Sequence, residues 1–168
     1  VGPLSNSASY QSIPRQTPNE KERLQGQTPI NELPEGMSLK SLNERLRARL
    51  PDKFLRVPAL HGFCLGISRG VINDIGYFDE ESFPQGFGEE DDYCVRAVDS
   101  GWSPVVALDV YVWPYKSASY EPTTRRSLVE QGRRQFIRRH GELRRRNILE
   151  TLQLGGRQIT RVVEGALS

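Results

Sequence analysis

GFGEEDDYCVRAVDSGWSPVVALDVYVW, residues 86–113, sets a helix pattern directly against a strand pattern. Glu89, Glu90, Asp91 and Asp92 follow a glycine-flanked phenylalanine, and Gly101 stands where a helix running from about Glu89 to Ser100 would stop. Acids in a first helical turn complement the macrodipole and its unpaired N–H groups. Val105, Val106, Val110 and Val112 then supply β-branched residues, read as a strand pair within 103–113.

Working upstream, RGVINDI (69–75) reads as a short helix capped by Ser68 and closed by Gly76, and Phe63 to Ile67 as a core strand. SLKSLNERLRARL (38–50) repeats leucine at 39, 42, 46 and 50, a helical spacing with Ser38 or Ser41 as cap and Pro51 as stop. Residues 1–36, rich in Ser, Pro, Asn, Gln and Gly, read as loop. Downstream, helices are expected over 124–140, ended by Gly141, and over 142–154, ended by Gly155 and Gly156, before a last turn or two. Strand, helix, loop, helix, strand, helix is an α/β order, with a mixed sheet and a helical C-terminal tail.

At 168 residues the chain can bury one real core, and its mean hydropathy of −0.56 fits a soluble domain rather than a fibre or a membrane span. Cys64 and Cys94 lie in apolar runs without C-x-x-C spacing and are expected to be buried free thiols of a cytoplasmic protein. Arginines crowd the tail, where eleven face five glutamates. Such a tail reads first as a solvated helix face; as a contact for anionic partners, docking on the inner face of a membrane is preferred to nucleic acid. Phe136 is the only aromatic there, and no nucleic-acid-binding motif occurs, so nucleic acid is not an expected partner.

Two readings of the acidic run stand together. It caps a helix, with Asp92 and Arg96 paired at i, i+4. Yet four adjacent carboxylates repel one another unless something relieves them, and a carboxylate at a helix start can serve as a general base or a metal ligand. The residue types do not choose between these roles. His61 is read as a half-buried histidine or a donor to a sugar hydroxyl, His140 as a surface residue near a helix C-terminus, and Trp102 and Trp113 as core flanking the strand pair or as stacking platforms.

The run from Gly62 to Trp102 resembles the acceptor-side half of family 2 glycosyltransferases, in which a GxC-hydrophobic-R segment, a helix, an IGxFDExF turn and a GED- or GEE-type acidic motif lead into DxCxRAxxxG. VGPLSNSASYQSIP at the start and DVYVWPYKSASY at 109–120 are similar to landmarks of bacterial members that build surface polysaccharides. The resemblance covers residues 1–120 and implies a partial GT-A fold over that half-domain, with 121–168 as a helical extension. It also implies inverting transfer from a UDP, GDP or dTDP sugar to a glycan or lipid-linked acceptor. Laid on this sequence, the family pattern puts the catalytic base at Glu90 with Asp91 as runner-up, makes Asp92 the structural partner of Arg96, and puts His61, Gly62, Phe63, Glu89, Lys116, Ser117 and Ser119 against substrate.

The resemblance further implies Mg²⁺ or Mn²⁺ at the departing diphosphate. No D-x-D pair occurs in these residues, however, and Pro114 stands where relatives place a histidine, so no metal ligand is assigned. The donor half is accordingly expected in a longer chain, the alternative being a non-catalytic, glycosyltransferase-like binding module. A sheet lacking that half is expected to have an edge that a second copy could cover.

Overall fold

The structure, a computed structural model, describes residues 1–24, 27–114 and 121–168. A three-stranded mixed sheet with flanking helices forms its centre. The strands are β1 (Gly2–Ser5), β2 (Phe54–Arg56) and β3 (Val105–Val112), in the order β1-β3-β2. β1 runs parallel to β3, and β2 runs antiparallel to it with Leu55 opposite Val106.

The α/β layout holds, but three strand assignments change. The valine-rich run is one central strand, β3, rather than a pair. The apolar Phe63 to Ile67 run forms no strand; it is a loop with Phe63, Leu65 and Ile67 half-buried, tied where the Gly66 N–H donates to the Val1 carbonyl at 2.8 Å. The first residues are not wholly loop, because β1 is fully buried and pairs with β3 across a register shift between Pro3 and Leu4. A proline in a strand is tolerated at such an edge position.

Helices α1 (Glu20–Leu24), α2 (Leu39–Arg49), α3 (Arg69–Ile75), α4 (Glu89–Asp99), α5 (Pro122–His140) and α6 (Glu142–Leu167) complete the fold. The Ser38 hydroxyl accepts the Ser41 N–H at 3.1 Å to start α2, whose Leu42 and Leu46, one turn apart, are completely buried. The Asn43 side chain both donates to and accepts from the backbone of Tyr111, clasping α2 to β3.

α6 runs straight through the glycine pair expected to end it. Gly156 is buried, and its carbonyl accepts the Gln16 side-chain N–H at 2.6 Å, so the small residue serves close packing within a helix rather than ending one. Ile159, Val163 and Ala166 of α6 share one core with Leu4, Leu42, Leu46 and Val106.

Side-chain placement departs from expectation at three further residues. Cys64 is exposed because its segment is a surface loop, whereas Cys94 is buried in the core. Trp102 is a surface residue donating its indole N–H to Asp74 at 2.8 Å, while Trp113 packs, half-buried, on the core. His140 points inward, its ring only 9% exposed.

Candidate functional site

The four consecutive acids at the start of α4 meet four different environments. A helix turns about 100° per residue, so neighbours in sequence must face different ways. Gly88, at φ +121°, supplies the backbone bend that starts the helix, a conformation costly for any residue with a Cβ.

Asp92 faces inward and is fully buried. Its Oδ2 accepts from Arg96 Nε at 2.8 Å, as the i, i+4 spacing predicts, and its Oδ1 lies 2.8 Å from His140 Nε2 and 3.1 Å from Arg139 Nε. Arg96 continues to the carbonyls of Ile75 at 2.8 Å and Tyr77 at 2.9 Å. Asp92 therefore ties α4 to the end of α5 and, through Arg96, to the turn after α3.

Glu90 is held from two sides. Its Oε1 accepts the Gly62 N–H at 3.4 Å and its Oε2 accepts the Gly88 N–H at 3.2 Å. It stands on the wall shared by two adjoining cavities, of about 330 Å³ and about 1000 Å³. The smaller has an apolar floor that includes Val57, Leu60, Phe136, Leu152 and Ile159, with Asp91 and Arg145 as its charged groups besides Glu90 and Arg133. The larger is polar, with Gln16, Thr28, Glu89, Gln153, Arg125 and Arg157 around it.

Asp91 opens onto the smaller cavity, accessible to the water there yet ringed by protein. Desolvation, with the charges of Glu90 and Glu89 beside it, pushes its carboxyl up to about 7, against the pull of Arg145. Glu89 faces the larger cavity and is raised in the same direction, first by burial and then by Glu90. Its Oε2 is buried with no hydrogen-bond partner among the described residues.

His61 lies at the junction of the two cavities. Its own N–H donates to Gln11 Oε1 at 2.7 Å, and its Nδ1 accepts the Phe63 N–H at 3.3 Å, which assigns the ring proton to Nε2. Phe63 meets the imidazole edge-on, with ring centroids 5.8 Å apart. A Cβ at Gly62 would stand 3.1 Å from Glu90 Oε1, so a larger residue there would press on that carboxyl.

The fold thus brings His61, Gly62, Phe63, Glu89, Glu90 and Asp91 together, whereas Lys116, Ser117 and Ser119 lie outside the described residues. Gln11 and Arg145 also belong to this region. Gln11 donates to the Pro3 carbonyl at 2.7 Å and accepts from His61, linking β1 to the histidine loop; it lies within the VGPLSNSASYQSIP landmark, which gives it no role of its own. Arg145 was legible only as one arginine in a run of three.

One helix builds the opposite wall. Val129, Gly132, Arg133 and Phe136 of α5 line the smaller cavity, and Gly132 seats directly on the Phe87 carbonyl. The larger cavity is steadied by Glu22, whose carboxylate takes Arg15, the Asn19 N–H and the Ile30 N–H, and which the Arg15 guanidinium holds down to about 2.

Among the described residues no group of three or more His, Cys, Asp or Glu is placed to hold a metal ion. What the arrangement offers is an anchored carboxyl, a second carboxyl poised near neutral pH, and an imidazole, all facing solvent-filled space. Compared with the models of known protein families, with curated proteins and with solved structures, the chain matches none.

Proposed function

We propose that this chain is the acceptor-side, base-carrying part of an inverting glycosyltransferase of GT-A type. The donor in this reading is a UDP, GDP or dTDP sugar, and the acceptor a glycan or lipid-linked saccharide. The observation that carries it is that Glu90, the base in the family pattern, stands on the wall between the two cavities, fixed by the Gly62 and Gly88 N–H groups. The three-stranded mixed sheet with flanking helices is compatible with part of such a fold.

In this reading an acceptor hydroxyl enters beside Glu90. The carboxylate takes the hydroxyl proton as the oxygen attacks the anomeric carbon, and the bond from that carbon to the diphosphate breaks, releasing the nucleoside diphosphate. The Gly62 and Gly88 N–H groups fix the position of the Glu90 carboxyl, as a base requires. Asp91 is the second candidate, and His61 orients the acceptor by hydrogen bonding. The diphosphate and nucleoside are bound by a donor half, since this sequence has no D-x-D pair.

The test is transfer from each nucleotide sugar, in the longest native polypeptide carrying this sequence, by Glu90→Gln and Asp91→Asn. Loss of a general base lowers kcat by about 10²–10⁴. We expect that loss in Glu90→Gln with the fold intact by circular dichroism, and a smaller one in Asp91→Asn. Undiminished transfer by Glu90→Gln removes the assignment. A second reading, a glycan-binding module without turnover, is favoured by Pro114 and the missing D-x-D pair. Saccharide binding without turnover of any donor would select it.

A further inference from the structure

Two buried side-chain atoms have no hydrogen-bond partner among the described residues, Glu89 Oε2 and Arg125 Nε, and both belong to residues that line the larger cavity. Buried polar atoms are otherwise paired almost without exception, because a bond left unmade there is not replaced by water. One orphan is an acceptor without a donor and the other a donor without an acceptor.

Arg125 stands near the start of α5, one turn before Val129, which lines the same cavity. Its guanidinium enters no hydrogen bond or ion pair among the described residues. Arg144 and Arg145, the other half-buried arginines of α5 and α6, pair with Asp99 and Glu142, and the remaining arginines of these helices are exposed. Arg125 is therefore the one arginine of the two helices that is both withdrawn from water and without a counter-ion among the described residues.

Net charge does not choose the ligand, since Glu89 and Glu90 line this cavity together with Arg125 and the exposed Arg157. The hydrogen-bond needs do. An oxyanion alone would leave Glu89 Oε2 without a donor, and a neutral saccharide would leave Arg125 without a counter-ion; a hydroxylated carboxylate answers both. A phosphate would bring a second negative charge against two acids, whereas one carboxylate matches one guanidinium bidentately. At about 1000 Å³ the cavity has the size of a small-molecule site, and Gln27, Gln85 and Gln153 offer amides for further hydroxyls.

We infer that the larger cavity binds a saccharide bearing one carboxylate, a hexuronate, whose carboxylate pairs with Arg125 and whose hydroxyl donates to Glu89. Each side chain turns its orphaned atom into the cavity to meet the ligand. Glu90 lines the same cavity, so the uronate belongs to the acceptor in the proposed transfer. The inference rests on that acceptor reading, and the two fail separately: uronate binding is read without donor or turnover, whereas the Glu90→Gln assay reads transfer.

The experiment is titration of the protein, followed by ligand-observed NMR, with the methyl glycosides of glucuronic and galacturonic acid and with their neutral parents, methyl glucoside and methyl galactoside. At least one uronide is expected to bind about ten-fold or more tightly than its parent, the scale of a charge-assisted pair. Arg125→Gln is expected to bring each uronide within about two-fold of its parent. Glu89→Leu, read on the neutral glycosides so that its own charge does not enter, is expected to weaken binding about five-fold. Arg161→Gln, exposed on α6 and lining neither cavity, leaves every affinity unchanged.

Circular dichroism checks that each variant folds, and the comparison of uronide with parent in the unaltered protein needs no variant. Equal affinity for uronides and parents, binding of none of them, or a preference that Arg125→Gln leaves intact overturns the inference. Tighter binding of glucose 6-phosphate than of either uronide overturns it in favour of a sugar phosphate. Displacement of the uronide by UDP, with UDP binding lost in Arg125→Gln, overturns it by giving Arg125 to the donor's diphosphate.

Discussion

His140 Nε2 lies 2.8 Å from Asp92 Oδ1, joining the last residue of α5 to a completely buried carboxylate in the first turn of α4. Arg139 shares that oxygen and Arg96 holds the other. The Asp92 charge repays its desolvation only while these partners surround it. The tie also sets the cavity wall, since α5 carries Val129, Gly132 and Phe136 to face Glu90 and Asp91. Removing the charge with Asp92→Asn leaves Arg96 without its counter-ion, while Arg139 keeps Asp79, and is expected to cost about 3 kcal/mol. His140→Ala leaves Asp92 both arginines and is expected to cost about 1 kcal/mol. Urea denaturation at neutral pH measures both. A loss below about 0.5 kcal/mol for Asp92→Asn, the range of ordinary surface changes, would show that the carboxylate does not hold the helices together.

Two glycines in the long helices predict opposite results for one substitution. A methyl group at Gly132 of α5 would overlap the Phe87 carbonyl oxygen, and backbone cannot swing aside as a side chain can. At Gly155 of α6 the same methyl would meet a Val57 methyl at 3.6 Å, an ordinary contact. Gly132→Ala is therefore expected to destabilise by about 2 kcal/mol, shifting the turn that starts α4. Gly155→Ala is expected to stabilise by about 0.5–1 kcal/mol, because alanine loses less backbone freedom within a helix. Thermal melts check the pair. Equal shifts of one sign would mean that helix propensity, not the close approach at Phe87, decides both sites.

What the sequence makes legible follows from the range of the forces involved. Ser38 and the leucines at 42 and 46 announce α2, and the acids and Gly101 announce α4, because caps and periodicity act within a few residues. β1 has four residues and a proline, too few to alternate, and it is a strand only because Gly2 and Leu4 pair with Val106 and Tyr111 far along the chain. The Gly155-Gly156 pair looks like a helix end until Gln16 is seen to bond the Gly156 carbonyl. At the site, periodicity separates Asp91 from Asp92, but their fates depend on Arg145 and His140, which arrive from another helical hairpin.

Asp91 should make stability depend on pH in the direction opposite to an ordinary ion-paired carboxylate. Its ordinary value of 3.8 is pushed up to about 7 in the folded protein, mainly by desolvation and then by Glu90 and Glu89. Between those values the folded state binds a proton that the unfolded chain has released, so this residue's contribution falls as pH rises from about 4 to about 7. Asp91→Asn cannot lose the proton. It should match the parent near pH 4, within the effect of the swap itself, and exceed it above about pH 7. Cleft water screens the charge, which limits the expected gain to about 1 kcal/mol. Glu89 is displaced in the same direction, so Glu89→Gln with Asp91→Asn should flatten the profile further than Asp91→Asn alone. Urea midpoints of parent and variants across this pH range decide the matter: a difference between parent and Asp91→Asn that stays constant with pH would mean that Asp91 titrates at an ordinary value, and that cleft water solvates its carboxylate fully despite the two acids beside it.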